Sequence, residues 1–171
     1  MDQLRAIFQP HQFTADEQYI DLYHVYDNLS RTPYQDGLGI VCGDRDVYTM
    51  NAWHVITPSA MRKHLEWSNR TLTQFISFYK NQRDAEDEQQ RRRNQTRVAG
   101  GHYRKPESVR IAHVRLERNT HVWAFSRKEM LSMMGSLDPA SQRELSPMSG
   151  LNEWFVWGLV PDKCVENRRS L

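Results

Sequence analysis

The chain has 171 residues, 39% hydrophobic and 26% charged, which suits one folded domain and excludes a wholly disordered one. Its 23 Lys and Arg against 21 Asp and Glu leave a formal charge of +2, a poor basis for a chain-wide nucleic-acid-binding field. Cys42 and Cys164 are far apart and in no metal-ligand spacing, and no run approaches the roughly 18 apolar residues of a membrane span.

Residues 1–18 are polar and read as an N-terminal arm; with Asp2 and Arg5 and no apolar run they are no signal peptide, so an intracellular, cytoplasmic protein is expected. "YIDLYHVYD" (19–27) alternates as a strand, with Ile20, Leu22 and His24 on one face and Tyr19, Tyr23 and Val25 on the other. "NLSRTPYQDGLGIVCGDRD" is a loop punctuated by Pro33, Gly37, Gly39 and Gly43, within which "LGIVC" forms a short strand. "TPSAMRKHLEWS" is a helix with Thr57 as N-cap and Pro58 at its first position. Met61, His64 and Leu65 share one face of it, where His64 reads as a satisfied structural histidine.

"TQFISFYK" is an apolar strand with one hydroxyl, Ser77, at its centre and Tyr79 two residues on. The polar run "NQRDAEDEQQRRRNQTR" pairs Asp87 with Arg91 and Glu88 with Arg92 at helical spacing, so a solvated helix or connector is expected. The rival reading, an RNA-binding arginine cluster, is weakened by the acids beside it. "SVRIAHVRLE" (108–117) and "HVWAFS" (121–126) are strands. "SRKEMLSMMG" is a helix opened by a capping box, Ser126 with Glu129, and stopped at Gly135. "LDPASQRELSP" gives a short helical turn or two, and "NEWFVWGLV" (152–160) is the last strand, closed by Pro161. Without a regular strand–helix rhythm the expected class is α+β: a mixed, largely antiparallel sheet core with flanking helices, over a single domain at 19–161 and a tail at 162–171.

The familiar signatures are missing. "GLGIVCG" lacks the Gly-Lys-Ser/Thr of a phosphate loop, the seven histidines show no His-x-x-x-His pair, and no Gly-x-Ser-x-Gly elbow occurs, so no metal site is expected. What stands out is a trio of polar residues within or beside apolar strands: His24, Ser77 and Glu153.

"LYHVYD", "FISFY" and "EWFVWGLVP", in that order, resemble the three-part pattern of ADP-ribosyltransferases. "VYDNLSRT", "HLEWSNR" and the arginine-rich helix further resemble an uncharacterised domain of filamentous fungi, over most of residues 20–161. The resemblance implies split sheets and an NAD-using transferase or NAD glycohydrolase, with NAD as substrate. The acceptor is left open: protein, nucleic acid, small molecule or water. It implies that His24, beside Tyr23, contacts the ribose or nicotinamide amide, that Ser77 braces the pocket, and that Tyr79 stacks on the nicotinamide. Glu153 would accept a hydrogen bond from the ribose 2′-hydroxyl as positive charge develops at the anomeric carbon, which a carboxylate stabilises. His24 and Glu153 should then face each other across one cleft. Leu151 and Asn152 stand where acceptor-modifying members carry a Glu/Gln-x-Glu pair, which argues against arginine modification and leaves a catalytically silent binding module as the alternative. Trp67, Trp154 and Trp157 read as core or rim packing.

Overall fold

A computed structural model describes residues 10–46, 56–66, 71–146 and 152–166. Trp67 and the first nine residues of the expected arm lie outside the described residues.

The strands in chain order are β1 (Tyr19–Tyr26), β2 (Tyr34–Gln35), β3 (Gly39–Val41), β4 (Phe75–Tyr79), β5 (Arg110–Glu117), β6 (Ala124–Ser126), β7 (Glu153–Trp157) and β8 (Leu159–Pro161). The helices are α1 (Pro58–Leu65), α2 (Gln82–Asn94), α3 (Arg127–Leu137) and α4 (Pro139–Leu145). The protein is thus α+β. A five-stranded antiparallel sheet runs β5-β1-β4-β7-β6, and a three-stranded antiparallel one runs β2-β3-β8. The strands bearing the sequence trio, β1, β4 and β7, are consecutive neighbours in the large sheet.

Two-residue alternation sorts the large sheet into two faces. Ile20 and Leu22, Ile76 and Phe78, Val114 and Leu116, and Trp154 and Val156 point one way, into a core shared with Ile40 and Val160 of the small sheet. Phe75, Phe125 and Phe155 point the other way, against Met61 and Leu65 of α1, Met130, Met133 and Met134 of α3, and Leu145 of α4. Val25 also lies on that side, but meets Ala85 of α2 and Val109 in a separate cluster. Phe75, Phe78, Phe125 and Phe155 are no more than 2% exposed, and burying each contributes roughly 1.5–3 kcal/mol.

Local chemistry explains the helix starts. Thr57 accepts a hydrogen bond from the Ala60 amide before Pro58 begins α1, and Ser126 and Glu129 close the expected capping box at α3. α2 begins at Asn81, whose side chain caps the Arg83 amide.

Four expectations need correction. The helix expected to stop at Gly135 runs on to Leu137. The last strand is two: Gly158, at φ +78°, turns the chain from β7 in the large sheet to β8 in the small one. The strand expected at 121–126 begins only at Ala124. Residues 162–166 are not a tail in the described structure: Cys164 and Val165 are buried in the core, and Asp162 accepts a hydrogen bond from the Tyr34 hydroxyl at 2.7 Å. At the other end, His11 docks against Glu129, with 2.7 Å between Nδ1 and the carboxylate.

Candidate active site on the helical face

β4 carries the centre of the site. Phe75 lies in the α1/α3 cluster, Tyr79 packs beside the α2 cluster, and Ser77 sits between them. The register places Tyr79 opposite Glu153 and Ser77 opposite Phe155, so Ser77, Tyr79 and Glu153 share the helical face. The Ser77 hydroxyl acts on the Glu153 carboxyl from the same face and lowers its pKa. A polar seam therefore runs between two apolar clusters.

α1 completes it. His64 Nε2 lies 3.0 Å from Ser77 Oγ, and its Nδ1 lies 2.5 Å from Thr73 Oγ1. The imidazole packs between Phe75 and Phe155, with ring centroids 5.5 and 5.2 Å away. Burial there pushes its pKa down to about 4, so the ring is neutral at neutral pH. From α3, Arg127 Nη1 reaches within 3.7 Å of Glu153 Oε2 without hydrogen-bonding any described group, while its Nη2 donates to the Leu145 carbonyl at 3.0 Å. The Arg127 side chain is 3% exposed and that of Glu153 17%, so the pair stands in a largely dry setting.

Desolvation pushes the Glu153 carboxyl up to about 7, against the lowering effects of Arg127 and of the Ser77 hydroxyl. Such a group is divided between acid and carboxylate at neutral pH, and so can give or take a proton there. Burial first, then the negative charges of Glu88 and Glu153, pushes the Tyr79 hydroxyl up to about 12 and keeps it neutral.

His24 is elsewhere. It follows Ile20 and Leu22 on the opposite face, tilted against Phe78 at 5.2 Å, and is 4% exposed. Both ring nitrogens meet main-chain carbonyls: Nδ1 lies 2.9 Å from Ser77 O, and Nε2 2.7 Å from Thr32 O. Burial lowers its pKa. The expectation that His24 and Glu153 confront each other across one cleft is therefore corrected: the strand alternation that buries Ile20 and Leu22 carries His24 with them. Tyr23 does lie on the helical face, opposite Tyr79 in the only registered pair of β1 and β4, but it stacks on His113 at 4.9 Å.

His64 is satisfied, as the sequence implies, yet it belongs to the seam. Arg127 is not among the residues expected at the site, although one signal in the sequence points to it. A cation in the first turn of a helix opposes the helix dipole, and so asks for a local reason; Glu153 supplies it.

The arginine run is not a free basic surface. Arg91 and Arg92 both bond Glu88, Arg92 reaches Asp27 at 3.2 Å, and Arg93 donates to the Val109 carbonyl. Among the described residues no group of three His, Cys, Asp or Glu side chains is placed to hold a metal ion, and no helix is long and apolar enough to cross a membrane.

No curated protein and no solved structure matches the chain. A family model does, over residues 21–171, and by that match the chain belongs to the family described as "Domain of unknown function (DUF7587)".

Proposed function

We propose that the protein cleaves the nicotinamide–ribose bond of NAD, as an intracellular ADP-ribosyltransferase or NAD glycohydrolase on an ADP-ribosyltransferase-like fold of the fungal kind. One observation carries the reading: Ser77 and Glu153, from two of the three motif strands, share one face, where the carboxyl is desolvated and the Ser77 hydroxyl acts on it. The adjacency of β1, β4 and β7 supports it, as does the single registered pair at which β1 and β4 meet, which suits a sheet that splits between them.

The chemistry asks little more of the chain. The anomeric C–N bond breaks with its electron pair going to the nicotinamide nitrogen, which leaves neutral. The ribosyl cation is stabilised by the ionised Glu153, which accepts a hydrogen bond from the 2′-hydroxyl. The acceptor, whether water or a group on a protein, nucleic acid or small molecule, attacks the anomeric carbon and releases its proton. Tyr79, on the same face, is the aromatic to stack on the nicotinamide. His24 changes role: it braces the Ser77 main chain from behind the sheet and touches no substrate.

The alternative, a catalytically silent module that binds a nucleotide or protein, is favoured by His24 turning away with both ring nitrogens engaged. Incubation with NAD, following free nicotinamide beside calorimetric NAD binding, separates the two. Release that falls roughly 100-fold or more in Glu153→Gln is the expected result. Binding without release establishes the silent module, and neither binding nor release removes both.

A further inference from the structure

We propose that Thr73, His64, Ser77 and Glu153 form a one-way hydrogen-bond wire in which His64 is a positioning residue whose tautomer follows the proton on Glu153. The catalytic meaning of the wire rests on Glu153 being the working group proposed above; its existence does not.

The measured links are Ser77 Oγ to His64 Nε2 at 3.0 Å and His64 Nδ1 to Thr73 Oγ1 at 2.5 Å, and Glu153 joins them through Ser77, which shares its face and acts on its carboxyl. Each hydroxyl has one proton to give, and a neutral imidazole has one N–H. When Glu153 is ionised it only accepts, so Ser77 must donate to it. His64 must then donate to Ser77 from Nε2, which leaves Nδ1 bare to accept from Thr73. When Glu153 is protonated, its O–H needs an acceptor, and Arg127 offers none. Donating to Ser77 reverses every link: Ser77 donates to Nε2, and Nδ1–H donates to Thr73.

The groups facing Glu153 make this a two-state device. Arg127 from α3 is a guanidinium with no acceptor to offer, Tyr79 from β4 stays neutral because its hydroxyl is pushed to about 12, and His64 from α1 stays neutral because its ring is pushed to about 4. The charges of α2, namely Glu88, Arg91 and Arg92, act on Tyr79. Between pH 5 and 9 the proton that moves among these groups is that of Glu153, whose carboxyl titrates at about 7. In the ionised state His64 thus holds the Ser77 hydroxyl aimed at the carboxylate, in the orientation that fixes it for the ribose.

The test is the tautomer itself. The full chain, labelled with 15N in histidine and 13C at the glutamate carboxyl, is followed by NMR from pH 5 to 9. The expected result is that the protonated ring nitrogen of His64 changes from Nδ1 at low pH to Nε2 at high pH, with the midpoint of the Glu153 carboxyl. One unchanging tautomer while Glu153 titrates overturns the wire. In Ser77→Ala the swap should vanish while Glu153 still titrates; a swap that persists also overturns it. A tautomer swap in a protein that releases no nicotinamide removes the proposed activity and leaves the wire standing, whereas release without a swap does the reverse.

Discussion

His24 and Ser77 are hydrogen-bonded, 2.9 Å from Nδ1 to the serine carbonyl, although their side chains leave the sheet in opposite directions. β1 and β4 are registered together only at Tyr23 and Tyr79, so the main chain of Ser77 is held by an imidazole where a strand ladder would otherwise continue. The serine hydroxyl and its carbonyl thus serve different halves of the molecule.

Replacing His24 therefore acts on the fold first. His24→Leu keeps much of the volume but removes the one N–H that a neutral imidazole offers the Ser77 and Thr32 carbonyls inside the core. A buried acceptor left unpaired costs about 1–3 kcal/mol, so a loss of that size is expected in urea unfolding. A loss under about 0.5 kcal/mol, the size of an ordinary surface change, would show that the imidazole does not brace the strand.

The two titrating groups of the seam should oppose each other in stability. His64 has an ordinary pKa of 6.5 and a folded one of about 4, so its contribution is complete above pH 6.5 and is lost as the pH falls toward 4. Glu153 is reversed: raised from 4.5 to about 7, it contributes fully below pH 4.5 and loses that contribution as the pH rises through 7. Each shift corresponds to about 3 kcal/mol at most, and the slopes cancel between about pH 4.5 and 6.5. Relative to the parent protein, Glu153→Gln should gain stability as the pH rises through 7. His64→Phe should gain as the pH falls from 6.5 to 4. Urea midpoints across that range check both, and parallel curves for parent and variants would refute the assignment.

The parts of this site differ in how far the sequence reveals them. Alternation in "YIDLYHVYD" already places His24 with Ile20 and Leu22, which is the face it occupies. What the alternation of one strand lacks is the sense of the neighbouring strands. Ser77 and Glu153 come to share the other face only through the β4–β7 register, and a motif order along the chain is silent on that. His64 was legible as a satisfied core histidine because its helix face is apolar. Its partner was not, because Ser77 lies on β4, and a contact between α1 and β4 leaves no mark in the periodicity of either element. Gly158 reads as an ordinary strand glycine until the small sheet exists to receive β8. Of the two pairs expected at i,i+4 spacing, Glu88–Arg92 forms, while Arg91 pairs with Glu88 rather than Asp87; the anchor of Arg92 at Asp27, 65 residues away, is a tertiary contact.

That anchor separates a structural arginine from a decorative one. The Asp27 side chain is 2% exposed and accepts from Arg104 Nε at 2.9 Å, Arg92 Nη1 at 3.2 Å and the Leu29 amide at 2.8 Å. Arg104→Met leaves a buried carboxylate half-compensated and should cost about 3–5 kcal/mol. Arg91, whose side chain is 51% exposed, pairs with Glu88 at the rim, and Arg91→Ala should cost less than about 1 kcal/mol. Equal losses in thermal unfolding would mean that burial of Asp27 is not what sets the difference.

Two glycines, Gly39 in the small sheet and Gly158 at the turn into it, should respond very differently to one added methyl. At Gly158 a Cβ meets nothing within 4 Å, so Gly158→Ala carries only the left-handed φ of +78°, about 1–2 kcal/mol. At Gly39, φ is +106°, and a Cβ would lie 2.0 Å from the Val160 carbonyl oxygen and 2.7 Å from the Asp162 amide nitrogen. Those are backbone atoms of the strand that pairs with β3 and of the turn after it, so relief requires parting β3 from β8. The same movement would pull Asp162 from the Tyr34 hydroxyl and unseat Cys164 and Val165 from the core. Gly39→Ala is therefore expected to lower the urea midpoint much further than Gly158→Ala, and to speed amide exchange in the β3–β8 ladder while the β4–β7 ladder stays protected. Equal midpoints would show that the small sheet yields at no cost, and that the close approach at Gly39 does not hold the C-terminal strand in place.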